Sequence, residues 1–142
     1  MFQHDERRVI RHFGSPKKTE PKTKTYDLEE RLIDFAVRVI TVVEALPDTK
    51  AGRHIAGQLV RSGTSPAPNY GEAQSAESVN DFVHKLKIAL KELRETIIWL
   101  KIVKKKPLCQ PQKLETLIQE CNELIAIFVK SIQTAIRNAA KH

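Results

Sequence analysis

Methionine and tryptophan each occur once in these 142 residues, tyrosine and cysteine twice, and no apolar run approaches the roughly 20 residues that span a bilayer. Two cysteines, Cys109 and Cys121, are too few for a disulfide framework. Their spacing fits no zinc site, which wants four close nitrogen or sulfur ligands. The opening MFQHDERRVIRHFG is charged and lacks the apolar stretch of a signal peptide, so a cytoplasmic protein is expected. There is no glycine-rich phosphate loop, nucleophile elbow or His-Glu-x-x-His pattern. Asp81 and His84 stand three apart, but a di-iron bundle needs two Glu-x-x-His units and two further carboxylates. Only one such pair is present, and it points away from the Phe82/Leu86/Leu93 face. The chain therefore reads as a non-enzyme with no cofactor or metal. Strand alternation bounded by turn signals is absent too.

What is there is one domain's worth of chain, 41% hydrophobic and 29% charged, with a formal net charge of +7. Residues 1–25 hold seven Lys/Arg against three Asp/Glu, or +4; the remainder holds seventeen against fourteen, or +3. This first segment has two prolines, a glycine and few apolar groups, too little to repay its ordering entropy. It is expected to be a mobile basic arm, with room for a helical turn around Glu6–Phe13, preceding a bundle over 26–142. A basic balance permits phosphate contact without demonstrating it.

From Asp27 to Leu46 apolar residues recur at steps of three and four, with acids in the first turn, where the helix dipole favours them, and Pro47 as the stop. A second helix starts near Asp48, the expected N-cap. A third runs from about Ser78 to Lys106, with Phe82, Leu86, Leu93, Ile97 and Leu100 on one face. Pro111 opens a fourth at a first-turn position; its stripe runs from Leu114 through Cys121, Phe128 and Ile132 to Ala135, Ile136 and Ala139. Cys121 reads as a small buried hydrophobe. Four amphipathic helices with short joints predict an all-α, antiparallel up-and-down four-helix bundle.

The stretch RSGTSPAPNYGEAQSAES, residues 61–78, interrupts this pattern. Two readings are open. The phase of Ala51, Ile55, Leu59 and Ser62 carries through Pro66 to Asn69, Tyr70 and Ala73, which suits a second helix kinked by Pro66 and Pro68. The small residues Ser62, Gly63, Thr64, Ser65 and Ala67 would then let a neighbouring helix come close. The alternative is an ordinary loop with Gly63 as C-cap.

The run from Ile55 to Ile102 resembles the 23S rRNA intervening-sequence protein family, whose block Arg-small-small-x-Ser-x-x-x-Asn-x-x-Glu-Gly precedes its third helix. Arg61, Ser65, Asn69 and Glu72 match; Ala73 replaces the usual glycine, Gly71 stands where alanine is common, and Pro68 departs from serine or alanine. The Asp81-Phe82 pair and the pattern Ala89-Leu90-Lys91-Glu92-Leu93 match as well, and the likeness covers about residues 26–140. The resemblance implies the kinked second helix, running to about Glu72. Ser65, Pro66 and Pro68 would form the kink, with Asn69 and Glu72 satisfying the backbone that it frees. It also implies kinship with the accessory proteins of diversity-generating retroelements, which assemble as pentameric barrels and associate with a reverse transcriptase and nucleic acid.

Two faces of the third helix bear on function. Lys87, Lys91, Arg94, Lys101 and Lys105 form a basic ridge beside the core stripe. It is either a solvated flank partly paired with Glu92 and Glu95, or a phosphate-tracking surface reinforced by Arg53, Arg61 and the arm. No aromatics are interleaved with it, so stacking on single-stranded bases has little support. With Leu86 at 0°, Ile88, Trp99 and Ile102 lie at about 200°, 220° and 160°, a strip expected to face away from the core. It is read either as a subunit contact, since tryptophan is enriched at interfaces, or as a surface covered by the arm or a loop. The predicted partners are further copies of the chain (a pentamer by the resemblance), RNA or DNA, and a nucleic-acid-processing protein such as a reverse transcriptase.

Overall fold

The structure is a computed structural model that describes residues 28–109 and 111–141. The expected arm, residues 1–25, lies outside the described residues. Helix α1 spans Leu28–Ala45, α2 Lys50–Thr64, α3 Pro66–Gln74, α4 Val79–Lys105 and α5 Pro111–Ala140. Among the described residues there is no strand. Helix α5 packs along α4 on one side and α1 on the other, and the consecutive pair α2 and α3 fills the space between α1 and α4. Helices α1 and α4 thus stand at opposite corners of a helical bundle.

The stripes that the periodicity defines meet in one core. Leu32, Phe35, Leu59, Phe82, Leu86, Leu93, Leu100, Leu114, Leu124 and Phe128 are all essentially inaccessible. Burying each such side chain contributes about 1.5–3 kcal/mol. The ring of Phe128 meets that of Tyr70 edge to face, centroids 6.1 Å apart, tying α3 to α5 through the bundle centre. Between neighbouring helices, Arg31 of α1 grips Glu120 of α5 with two N–H groups, at 3.1 and 2.7 Å, and reaches Glu123 at 3.0 Å.

Two boundary expectations need correction. Thr49, not Asp48, caps α2: its hydroxyl accepts the Gly52 N–H at 3.0 Å, while Asp48 turns outward to Arg53 at 2.8 Å. The last turns of α5 also leave the core, since Ala135 is buried but Ile136 and Ala139 are exposed. Length explains this. At 1.5 Å per residue α5 runs about 45 Å and its neighbour α1 only about 27 Å.

Across the interruption the backbone stays helical. Ser65 alone separates α2 from α3 and has right-handed helical angles, φ −70° and ψ −35°. Its N–H donates to the Arg61 carbonyl and its carbonyl accepts from the Asn69 N–H, both at 3.2 Å. Gly63 lies buried inside α2, so the loop alternative with Gly63 as C-cap does not hold. Pro66 and Pro68 withhold two donors, and short polar side chains gather around the gap. Asn69 Nδ2 donates to the carbonyl and hydroxyl of Ser65, at 3.0 and 2.9 Å. The hydroxyls of Ser62 and Thr96 meet at 2.9 Å, linking α2 to α4. Glu72 takes a different role from its neighbour Asn69: its carboxylate accepts from Lys85 of α4 at 2.7 Å.

Candidate nucleic-acid interface

The seven candidate cations divide into two groups. Arg61 is bound on both sides, with Nη1 donating to Glu92 at 3.0 Å and Nη2 paired with Glu95. Arg53 pairs with Asp48. An arginine between two carboxylates adds no positive charge to a surface, so Arg61 does not extend the ridge as expected, while Arg53 stays exposed beside the single carboxylate of Asp48. Lys87, Lys91, Arg94, Lys101 and Lys105 are all exposed, and none has an ion-pair partner among the described residues. The expected pairing of the ridge with Glu92 and Glu95 is absent because those carboxylates project toward α2, where the planar guanidinium of Arg61 reaches both. From Lys87 to Lys105 the ridge follows α4 for about 27 Å.

Within the ridge sits an apolar pair. Ile98 is 54% exposed and Ile102 39%, and a shallow depression between them is edged by Lys101, Lys105 and Lys106. The strip Ile88–Trp99–Ile102 is not one continuous exposed surface. Trp99 is half-buried and packs against the core, its ring 5.9 Å from that of His54 on α2. Its Nε1 donates to Glu95 at 3.2 Å. Centring the helix on Leu86 puts Trp99 behind it, yet α4 is flanked by α5 on one side and α2 on the other, so the covered sector is wide. Thr96 and Val103, on the α2 side, are fully buried. Ile88 is likewise partly buried, which leaves Ile102 as the exposed member of the three. Residue-level reading misses Ile98, which a wheel centred between Leu93 and Leu100 would have turned outward.

Cys121 is fully buried, and its Sγ lies 3.3 Å from the Leu93 carbonyl. Burial pushes its thiol up to about 12. Cys109 is partly buried and its thiol is also raised, chiefly by loss of solvent, with Lys113 opposing. Because the thiolate is the nucleophile, a maleimide at pH 8 is expected to modify Cys109 slowly in the native protein and Cys121 only after denaturation, as peptide mass mapping would report. The raised Cys121 value also makes the folded state the stronger proton binder. That contribution to stability is fully present below the ordinary value of 9.0 and is lost as pH climbs toward about 12.

Among the described residues no group of three His, Cys, Asp or Glu side chains could hold a metal, and His84 is exposed. No described helix is long and apolar enough to cross a membrane.

The model of the 23S rRNA-intervening sequence protein family matches residues 24–130. The chain belongs to that family. The match takes in the whole ridge and the Arg61–Ala73 block. Among solved structures, a protein of unknown function from the S23 ribosomal protein family of Bacteroides thetaiotaomicron is similar, with 31% sequence identity and a TM-score of 0.68. The likeness covers 73% of this chain and 96% of that one. No curated protein matches.

Proposed function

We propose that this family member is a non-enzymatic, cytoplasmic, oligomeric binding module. Through the basic ridge of α4 it engages nucleic acid, or a nucleic-acid-processing partner such as a reverse transcriptase. The observation that carries the reading is the row Lys87, Lys91, Arg94, Lys101 and Lys105, exposed and without carboxylate partners among the described residues. Cations left unpaired along one helix face suit the phosphates of a duplex, whose affinity comes from counterion release. The reading takes the bundle as antiparallel up-and-down, with a kink at Ser65, so that each protomer presents a straight α4 along one edge. The resemblance to retroelement accessory proteins supports a ring of copies, five by that likeness, in which several modest patches act together.

A scaffold without nucleic-acid contact is the second reading. Ile98 and Ile102 favour it, since exposed apolar groups inside a charged face suit a protein partner better than a phosphate backbone.

Fluorescence anisotropy separates the two. The assembled protein is expected to bind mixed-sequence RNA and duplex DNA with little sequence preference and a steep salt dependence. Lys87→Gln with Lys91→Gln should lower affinity for both and flatten the slope of log K against log salt by about 2 per engaged protomer. Absence of binding at low salt would leave the scaffold.

A further inference from the structure

We propose that the α1 face carrying Ile33, Val37 and Ile40 docks on the Ile98–Ile102 face of α4 in a second copy of this chain. The proposal rests on the oligomeric part of the reading above and adds which two faces meet.

The first face is apolar at its centre and acidic at its edges. Val37 is 55% exposed, and Ile33 and Ile40 nearly 40%. Spaced by four and three, they share one side of α1. Glu29, Glu30, Asp34 and Glu44 flank them, all exposed. Neither arginine of α1 joins this side, because Arg31 turns to Glu120 and Glu123 and Arg38 to Thr116 on α5. The second face has the opposite charge. Ile98 and Ile102 stand among Arg94, Lys101 and Lys105, while Glu92 and Glu95 are held by Arg61.

Charge decides which surface meets which. Packing α1 on α1 would set acids against acids, and α4 on α4 would set lysines against lysines. Only α1 on α4 buries apolar groups together and brings opposite charges to the rim, where they set register and partner choice. Since α1 and α4 occupy opposite corners of the bundle, each copy offers α4 to one neighbour and α1 to another. That contact is head-to-tail, the kind that closes rings when the rotation allows.

The docking also divides the ridge. The α1 face from Glu30 to Glu44 measures about 21 Å. Centred on Ile98–Ile102, it reaches from Arg94 to Lys105 and leaves Lys87 and Lys91 uncovered. One helix face then serves assembly at its C-terminal half and remains open to phosphates toward its N-terminal half.

The test uses the full chain without nucleic acid, its mass followed by light scattering across protein and salt concentrations. Wild type is expected to assemble. Asp34→Lys with Glu44→Lys should give a monomer, and so should Lys101→Glu with Lys105→Glu. The chain carrying all four changes should assemble again, because both faces have exchanged sign. Far-ultraviolet circular dichroism spectra should barely differ, since all four residues are exposed. A monomeric wild type overturns the proposal. So does assembly that survives either pair of changes, or a fourfold variant that stays monomeric. A wild-type monomer that assembles only after removal of residues 1–25 would assign the α1 face to that segment and overturn it equally. Nucleic-acid binding is scored separately through Lys87 and Lys91, which lie outside the docked region, so phosphate binding and docking fail independently.

Discussion

Replacing Phe128 with alanine is expected to destabilise the protein by about 3–5 kcal/mol, the usual cost of emptying a buried aromatic site. Phe128 has no accessible surface and its ring receives Tyr70 edge to face at 6.1 Å. Two losses therefore combine: the apolar area of one ring, and the partner of another that is itself buried. Collapse around the vacancy is restricted, because Tyr70 of α3, which meets the ring, is itself almost inaccessible. For a chain of this size the change should lower the melting temperature by about 10–20 °C. Thermal melts followed by circular dichroism would measure it, and Phe128→Leu should recover much of the loss because the volume is nearly restored. A melting temperature that hardly moves would mean α5 faces the core in another rotational phase.

The phase of α5 is among the features most legible in the residues. Leu114, Leu117, Cys121, Leu124 and Phe128 repeat at helical spacing, and all are buried. Periodicity works there because α5 meets its two neighbours, α4 and α1, along one stripe at helical spacing. It serves less well for α4, which packs against α2, α3 and α5 and buries Thr96 and Val103 along with its obvious stripe. That breadth explains why Trp99 looks outward on a helical wheel and yet rests against His54 and the core. The positions of the helix ends followed from local chemistry, with Ser78 capping α4 through the Asp81 N–H at 3.1 Å. At α2 two adjacent residues, Asp48 and Thr49, could both cap, and only the tertiary turn decides between them.

The candidate site was half legible. Five lysines and arginines on one helix face are visible as spacing alone. Whether each is paired depends on residues about thirty positions away, as with Arg61 and its partners Glu92 and Glu95, and no local pattern carries that. The exposed strip Ile33–Val37–Ile40 went unread for a related reason. Helix α1 has apolar residues on both its faces, and the stripe beginning at Leu28 and Leu32 accounts for the core without them.

Gly63 provides the second large effect. A Cβ built on it would stand 2.6 and 2.8 Å from the two γ-carbons of Val39 on α1, well inside van der Waals contact. Val39 is itself fully buried and cannot swing away. This is the point where α1 and α2 approach through a small residue, just before the backbone interruption at Ser65. Two terms compete in Gly63→Ala. Helix propensity favours alanine by about 1 kcal/mol, while forcing a methyl into a packed contact costs typically about 1–3 kcal/mol. With Val39 unable to yield, the clash should win, and Gly63→Leu should be worse, at about 3 kcal/mol or more. The double change Gly63→Ala with Val39→Ala provides the internal control, because removing the γ-carbons makes room for the new methyl. Denaturant titration of the four proteins in the cycle should show the pair less destabilised than the sum of its parts by about 1–2 kcal/mol, within the range seen for residues in direct contact. Strict additivity would mean the helices can part at Gly63 at little cost. The close approach would then be a consequence of the bundle rather than one of its constraints.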